Sequence, residues 1–333
     1  MGRLGISFLA DKRLADYAEL GKLVESYRFE TISVYDDLLY QPPWGALFQL
    51  AQSTRHSLLG PGVVNPYLNH PVPIAANLAL LDEASGGRAY LGVGKGAFFE
   101  HIGVPQPRPL TAIREMVEAV QMLLAGEHKH EPYEGSVFKL GPEAYLRFPI
   151  PGRRVPVLLG TWGEKTSALA GKIADMVKIG GSVNPEAAKT FRGYIDAGTK
   201  PAGRDPSEVR MIFGAVTVVD RDRKRAETIA RHRVATYVSA IGRLDPTYSP
   251  SPEEIEAVER GMLSGDFEGA ARAISDDTLR RFSCFGTPAD IVRRMEELFD
   301  AGVDVFEFGT PHGENEAEAV RLLGDEVLPA FGD

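Results

Sequence analysis

The chain has 333 residues, which is long for an average domain but ordinary for one α/β barrel that carries insertions. Hydrophobic residues make up 44% and charged residues 25%, a balance that supports a sizeable core and excludes intrinsic disorder. The net charge is −9, from 37 basic and 46 acidic side chains, and no long basic run occurs. We therefore expect no nucleic-acid partner.

Cysteine usage and the N-terminal segment indicate a cytoplasmic protein. Cys284, the one cysteine, cannot form a disulfide within the chain, which suits a reducing compartment. The first apolar stretch soon meets Asp11 and Lys12, so it does not have the pattern of a signal peptide. No run of about 18 apolar residues occurs, and we therefore expect no membrane span.

Short apolar runs alternate with longer amphipathic segments along the chain, which predicts strands that alternate with helices. Continuous apolar runs are typical of parallel strands that are covered on both faces. The eight predicted strands are Leu4–Leu9, Thr31–Tyr35, Leu58–Val64, Ala89–Val93, Val155–Leu159, Met176–Ile179, Met211–Val219 and Val303–Phe308. The clearest predicted helices are Leu14–Tyr27, Thr111–Leu124, which Gly126 ends, and Pro288–Phe299, which Thr287 caps.

Two stretches fall outside this repeat. Glu131–Leu146 predicts a hairpin-like insertion within residues 127–150, and residues 242–283 predict a lid or flank with helices near Pro252–Met262 and Phe267–Ala273. No shift in composition marks a domain boundary. We therefore predict a single domain over residues 1–333, a (β/α)₈ TIM barrel with insertions, and the alternative is an open doubly wound sheet.

Two adjacent carboxylates follow the second predicted strand. In a barrel the functional side chains lie at the carboxyl ends of the strands, and this is the position of Asp36 and Asp37. Because neighbouring carboxylates raise the pKa of one of them, the pair suits acid/base chemistry. The alternative is that one caps the next segment while the other is solvated.

Glycine-rich runs follow the third and fourth strands. Residues 60–67 hold two glycines and two prolines, which predicts a bulge or strained bend, with an irregular turn as the alternative. Residues 92–96 match neither the dinucleotide-binding pattern nor the P-loop pattern. We interpret them as backbone that approaches a flat ring closely, with a tight turn as the alternative.

The turn after the fifth strand combines features that suit an anion. Free N–H groups at a helix N-terminus and the charge of Lys165 favour negative groups, and Trp162 can cover a ring face. The alternative is an ordinary turn in which Thr161 caps the helix.

After the eighth strand, His312 is either a binding residue or a solvated loop residue. His128 and His130 have no third ligand nearby in sequence, so we predict no metal site.

Three stretches together resemble the luciferase-like monooxygenase superfamily. Residues 60–96 contain N-P-Y-x-x-H-P, then L-D-E-x-S-G-G-R and L-G-x-G-x-G, and the other two stretches are residues 158–180 and 285–313. The chain is most similar to the branch that uses the deazaflavin coenzyme F420, which includes methylenetetrahydromethanopterin reductases and related dehydrogenases. The resemblance covers most of the chain and is specific for the superfamily, but it is much less specific for the substrate.

The resemblance implies an F420-dependent oxidoreductase that moves a hydride between the deazaflavin and a small organic substrate. It also implies a cofactor over the carboxyl ends of the barrel strands, and a homodimer. An FMN-dependent monooxygenase of the same superfamily is the first alternative. A barrel that binds a ligand without redox turnover is the second.

The resemblance also assigns residues to the cofactor. Asp36 matches an acidic residue that contacts it, and Asn65 matches a second contact. Gly62 and Val63 match a non-prolyl cis peptide that supports the back of the ring. The remaining matched positions are Lys95 and Gly96, beside the cofactor, and Thr161, Trp162, Gly163 and Lys165, at its phosphate-bearing tail.

Two positions depart from the pattern of the superfamily. Asp37 stands where the family has a histidine, and we predict that it serves as an acid/base or substrate-binding group beside Asp36. Ala97 stands where relatives of the glucose-6-phosphate dehydrogenase type have a glutamate, and Glu100 follows three residues later. We therefore do not expect a sugar-phosphate dehydrogenase, and the pattern does not identify the proton donor.

Overall fold

The computed structural model describes residues 2–126 and 131–332. The main sheet of these residues is a ring of parallel strands. Within these residues the strands are β1 (Arg3–Phe8), β2 (Thr31–Val34), β3 (Leu58–Pro61), β4 (Leu91–Gly94), β5 (Tyr133–Glu134), β6 (Lys139–Leu140), β7 (Val157–Gly160), β8 (Met176–Gly180), β9 (Arg210–Val219), β10 (Ser283–Gly286) and β11 (Val305–His312). The order in the main sheet is β3-β2-β1-β11-β9-β8-β7-β4, and β10 pairs with β9.

Bridges between the two end strands close this sheet into a barrel. Leu59 pairs with Ala89 and Val64 pairs with Val93, both in parallel orientation. The first and last strands are also neighbours, because β1 pairs with β11 from Arg3 opposite Val305 onward. The predicted eight-stranded barrel is therefore confirmed, and the alternative of an open doubly wound sheet is wrong.

Helices surround the barrel. The α-helices of the described residues are α1 (Leu14–Glu25), α2 (Pro43–Ser53), α3 (Pro71–Ser85), α4 (Pro109–Ala125), α5 (Glu164–Ile173), α6 (Pro185–Thr199), α7 (Arg223–Ala235), α8 (Val238–Ile241), α9 (Pro252–Ser264), α10 (Phe267–Ala273), α11 (Asp276–Phe282), α12 (Pro288–Asp300) and α13 (Glu316–Leu322). None of the helices in the described parts of the chain is long and apolar enough to cross a membrane.

The eight predicted strands and the main predicted helices are confirmed within a few residues at each end. The predicted caps are also present. Thr287 and Asp290 form a reciprocal capping box at α12, and Gly126 ends α4 in the left-handed conformation at φ +74°. The pattern missed β10, α8 and α11, which lie in or beside the second insertion, where the alternation of strands and helices is interrupted.

Both stretches outside the repeat contain strands or helices of their own, and the role of the second as a lid or flank stays a prediction. β5 and β6 form an antiparallel hairpin, which Glu115 of α4 holds by accepting the backbone N–H groups of Ser136, Val137 and Phe138. In the second insertion, α9 and α10 match the predicted helical segments. His128 and His130 lie outside the described residues.

Side chains alternate between the two faces of the barrel wall. On β1, Leu4, Ile6 and Phe8 belong to the apolar core between the strands and the helices. Ser7 lies between them in sequence and contacts Glu307 of β11 inside the barrel. This period of two places the apolar groups of β1 outside and Ser7 inside, where Ser7, Thr31, Ser33, Lys178 and Glu307 form a polar interior layer of the barrel.

Candidate active site at the barrel mouth

The peptide bond between Gly62 and Val63 lies just beyond β3, at the mouth of the barrel, which we define as the carboxyl ends of its strands. This bond is cis and non-prolyl, as predicted. The Gly62 N–H donates to the carbonyl of Val34 at 2.8 Å, and the Val64 N–H donates to that of Gly92 at 3.0 Å. We call residues 62–64 the bulge. These two hydrogen bonds fix it to β2 on one side and to β4 on the other.

The side chain of Val63 occupies space left by two glycines. A Cβ on Gly94 would lie 2.6 Å from Cγ2 of Val63, and a Cβ on Gly160 would lie 3.2 Å from both of its methyl groups. Gly94 ends β4 and Gly160 ends β7. These glycines make room for Val63, and the approach of residues 92–96 to a flat ring stays a prediction.

Replacing Gly94 with Ala should destabilise the protein by about 1–3 kcal/mol, because the new methyl group must displace Val63 or its own strand. Urea unfolding measures this loss. The matched control is Gly180→Ala at the end of β8, where an added Cβ meets no atom within 4 Å. Equal stability of the two variants would contradict this account of the bulge.

Two carboxyl groups stand at the mouth where β2 ends. Asp36 is half-buried and Asp37 is exposed at the rim, and nearby protein atoms displace part of the water around Asp37. Burial, and then the neighbouring charge of Asp37, raise the pKa of Asp36 to about 6. Burial also raises the pKa of Asp37, while the nearby charge of Lys178 acts to lower it. The catalytic role of Asp37 stays a prediction, and the pKa of Asp36 makes it the better candidate for a proton carrier at neutral pH.

Beneath the mouth, Glu307 and Lys178 form a buried ion pair inside the barrel. Glu307 is fully buried and Lys178 is 6% exposed. The Glu307 carboxylate also accepts hydrogen bonds from Ser7 and Thr31 at 2.8 Å and from Ser33 at 2.7 Å. Burial acts to raise the pKa of Glu307, but the Lys178 charge and these hydrogen bonds outweigh it and lower that pKa.

Lys178 connects this interior layer with the mouth. Its Nζ lies 5.3 Å from the ring centroid of Tyr35, the residue just before the two aspartates. It would also lie 3.5 Å from a Cβ added to Gly62, so the ammonium group is directly behind the bulge. The ends of β2, β3 and β8 therefore meet around one cation.

The loop after β4 packs against the loop after β3. Gly96 has φ +79°, and a Cβ there would lie 2.6 Å from the ring of Phe99 and 3.3 Å from Cβ of Asn65. Oδ1 of Asn65 accepts the backbone N–H groups of Tyr67 and Leu68, so this oxygen holds the turn. Lys95 is exposed. Contacts of Asn65, Lys95 and Gly96 with a cofactor stay predictions.

The turn after β7 leads into α5. Its N-cap is Gly163, without a side-chain hydrogen bond to the helix, so the alternative in which Thr161 caps the helix is wrong. The Thr161 hydroxyl accepts the Gly163 N–H within the turn. The Trp162 indole donates to the carbonyl of Gly180 at 2.8 Å and packs on Phe191. Lys165 is exposed in the first turn of α5, which suits an anion, and the tail-binding role of these residues stays a prediction.

His312 is fully buried, so the alternative of a solvated loop residue is wrong. Its ring nitrogens face the carbonyl of Phe308 at 3.2 Å and the carboxylate of Glu316 at 3.3 Å. Glu100 is exposed in a 3₁₀ turn over Phe99–Ile102. Across residues 2–126 and 131–332, no group of three or more His, Cys, Asp or Glu side chains could hold a metal ion.

Sequence reasoning missed the polar interior layer. Its members are Ser7, Thr31, Ser33, Tyr90, Lys178 and Glu307. A signal was present, because Lys178 and Glu307 each stand between two apolar residues of a strand. A charged side chain in a strand that is otherwise buried must find an opposite charge, and two such strands predict a pair.

Comparison with known proteins agrees with this geometry. The sequence pattern of the luciferase-like monooxygenases matches residues 3–305. The 5,10-methylenetetrahydromethanopterin reductase of Archaeoglobus fulgidus is 34% identical over 98% of this chain and 99% of its own length. An F420-dependent glucose-6-phosphate dehydrogenase of Nakamurella multipartita is 25% identical over 95% of this chain and 92% of its own length.

The same agreement extends to solved structures. The coenzyme F420-dependent tetrahydromethanopterin reductase of Methanopyrus kandleri superposes with a TM-score of 0.90, at 31% identity and with 99% of each chain covered. The matched residues include the cis peptide between Gly62 and Val63. The chain belongs to the luciferase-like monooxygenase family.

Proposed function

We propose that the protein is an F420-dependent oxidoreductase that transfers a hydride between the deazaflavin and a small organic substrate. The observation that carries this proposal is the cis Gly62–Val63 bulge with a carboxyl pair beside it, in a chain similar over its whole length to F420-dependent reductases. A bound deazaflavin supplies two electrons as a hydride, and the protein must orient it and exclude water.

The residues at the mouth fit such a cofactor. Gly62 and Val63 offer a flat backbone surface for the back of a ring, and Val63 is held from behind by Gly94 and Gly160. The N-terminus of α5 has no side-chain cap and carries Lys165, which suits the phosphate of the tail. We place the substrate on the other side of the ring, within reach of Asp36 and Asp37.

The relatives also suggest which substrate to try first. Because the Archaeoglobus fulgidus reductase is similar over nearly the entire chain, a methylenetetrahydromethanopterin-type compound is the first candidate. Ala97 stands where the family pattern predicts a glutamate in the sugar-phosphate dehydrogenases, and this argues against glucose 6-phosphate. We also propose that the protein is cytoplasmic and forms a homodimer. Light scattering of the purified protein tests whether it is a dimer.

Cofactor titration tests the proposed function. We expect the purified protein to quench the fluorescence of F420 on binding at micromolar concentration or below and to leave FMN unbound at the same concentrations. Binding of FMN but not F420 would instead favour a monooxygenase. Binding of neither would leave a barrel that takes a ligand without redox turnover.

Reversing the charge of Lys165 should weaken F420 binding by about three- to tenfold, because the first turn of α5 would then repel the phosphate of the tail. The wild-type affinity should also fall with added salt, since exposed charges are screened. The control is Lys172→Glu, which makes the same change in net charge at the other end of α5. Similar affinities of the two variants would place the tail elsewhere.

A further inference from the structure

A groove lies between α7 and the loop after β11, on the mouth side of the barrel. Its cavity volume is about 310 Å³, which is room for a small organic group. α7 contributes Arg225, Ile229 and Arg233 to its walls, and the loop contributes Pro311 and Gly313. Because α7 follows β9, the groove lies between the segments that follow the seventh and eighth strands of the barrel, a region where such barrels often bind phosphate.

Two guanidinium groups in this groove have donors without a partner. Arg225 donates to the Asp220 carboxylate through Nε at 2.6 Å and Nη2 at 2.7 Å, which holds its plane in one orientation. Within residues 2–126 and 131–332, Nη1 of Arg225 has no hydrogen-bond partner, and the exposed guanidinium of Arg233 has neither a hydrogen bond nor an ion pair. Planar guanidinium donors of this kind suit phosphate and carboxylate oxygens.

The wall opposite α7 is firmly held. His312 is buried behind the loop, and its ring nitrogens face the carbonyl of Phe308 at 3.2 Å and the carboxylate of Glu316 at 3.3 Å. Its backbone is left-handed, at φ +67°, a conformation that is uncommon outside glycine and that recurs at functional sites. A Cβ on Gly313 would lie 2.8 Å from Cβ of Ala319, so the loop is also packed closely against α13. The groove therefore has a fixed wall for a ligand to contact.

The groove adjoins the carboxyl pair at the end of β2. A Cβ added to Gly309 would lie 3.0 Å from the hydroxyl oxygen of Tyr35, the residue that directly precedes Asp36 and Asp37. Pro311 follows Gly309 by two residues, so their Cα atoms are at most about 7 Å apart. A substrate that reacts beside the two carboxyls can therefore extend into the groove.

Glu314 is the acidic side chain at the edge of the groove. Its carboxylate lies 3.9 Å from Nε of Arg225, and its side chain is 74% exposed. Its charge opposes an anion, but the surrounding water screens most of that effect. Since Asp220 is already engaged by Arg225, Arg233 is left as the uncompensated charge of the groove.

We propose that the groove binds an anionic group, a phosphate or a carboxylate, which the substrate carries at a distance from its reacting carbon. This inference rests on the proposed function, because it assigns the groove to the substrate of the hydride transfer. Arg233 donates to the anion, and Arg225 supplies a second positive group about 12 Å further along α7. Ile229 and Pro311 contact the apolar part of the molecule. Accepted substrates are therefore anionic organic molecules, and neutral compounds of the same size bind poorly.

Titration of the apoprotein with inorganic phosphate and with glutarate tests whether the groove takes anions. Binding is followed by NMR of the arginine Nε–H groups, and the Arg225 and Arg233 signals are identified by their loss in Arg225→Gln and Arg233→Gln. In the wild type we expect both signals to shift saturably, with a Kd of about 1–10 mM, and to stay in place with glycerol. In Arg233→Gln the remaining Arg225 signal should report binding at least about tenfold weaker.

Two further variants make the outcome decisive. Arg260→Gln on α9 removes another exposed arginine that has no ion-pair partner in the described parts of the chain, so its affinity should match the wild type. Glu314→Gln removes the opposing charge and should bind phosphate about two- to threefold more tightly. Shifts that do not saturate, equal affinities of Arg233→Gln and Arg260→Gln, or weaker binding by Glu314→Gln would overturn the inference.

Turnover then decides whether the anion belongs to the substrate. In Arg233→Gln we expect KM of an anionic substrate to rise about tenfold, with kcat and F420 affinity within about twofold of the wild type. Turnover of neutral compounds alone, or a loss of F420 affinity without a change in KM, would overturn the inference, and the second result would place the cofactor tail in the groove. If the wild type fails to bind F420, the proposed function fails and the assignment to its substrate fails with it, while the phosphate titration still decides whether the groove binds anions.

Discussion

Replacing Asp36 with Asn should lower turnover in the reduction direction by about 10²–10⁴-fold, the usual contribution of a positioned acid. The pKa of Asp36 is raised to about 6, so kcat/KM of the wild type should fall as pH rises through this value. The variant should lose this limb of the profile. Stopped-flow oxidation of the reduced cofactor, with a turning-over substrate at several pH values, measures both effects.

Asp37→Asn is the matched control for this prediction. It removes the neighbouring charge that helps to raise the pKa of Asp36, so the limb should move to lower pH and remain visible. If Asp37→Asn instead abolishes the limb while Asp36→Asn keeps it, the proton belongs to Asp37, as the replacement of the family histidine first indicated. Affinity for F420 should change much less than turnover in Asp37→Asn.

The same carboxyl also affects stability. Because the folded state raises the pKa of Asp36, its protonation stabilises the fold below about pH 4, and this contribution is lost as pH rises through 6. Asp36→Asn should therefore match the wild type near pH 4 and exceed it above pH 6. The gain in free energy of unfolding is at most about 3 kcal/mol, and less where water screens the carboxylate.

Removing one charge of the buried pair should cause the largest loss of stability. Glu307→Gln leaves the Lys178 ammonium buried without its counter-ion, and such a change costs about 3–5 kcal/mol. Lys178→Met/Glu307→Gln removes both charges and should recover most of that loss. Chemical unfolding of the three proteins gives the comparison, and a double variant no more stable than Glu307→Gln would mean that the pair is not coupled.

The sequence predicted the fold well because the strands have a strong pattern. Residues 157–159 are a continuous apolar run, residues 31–34 are all buried, and glycines or prolines separate many of the elements. The motif at residues 60–96 also led to the cis peptide between Gly62 and Val63. β10 escaped because its sequence, Ser-Cys-Phe-Gly, has only two apolar residues, and pairing with β9 decides its conformation.

The site was less predictable, because its electrostatics depend on residues that are distant in sequence. Asp36 and Asp37 are visible as neighbours, but nothing local indicates that the charge of Lys178 acts on Asp37. The cap of α5 was misplaced for a similar reason. Thr161 has the side chain of an N-cap, yet the turn directs its hydroxyl to Gly163, which takes the cap position instead.

The pairing of the first strand with the last has a consequence for how the protein is made. Ser7 and Glu307 are hydrogen-bonded across 300 positions of sequence, so the interior layer cannot form until β11 has left the ribosome. Until then, the hydroxyls of Ser7, Thr31 and Ser33 lack their carboxylate, and Lys178 lacks its counter-ion. A nascent chain that stops before β11 would therefore lack both the closed barrel and the charge arrangement at its mouth, so partial products of synthesis would be inactive.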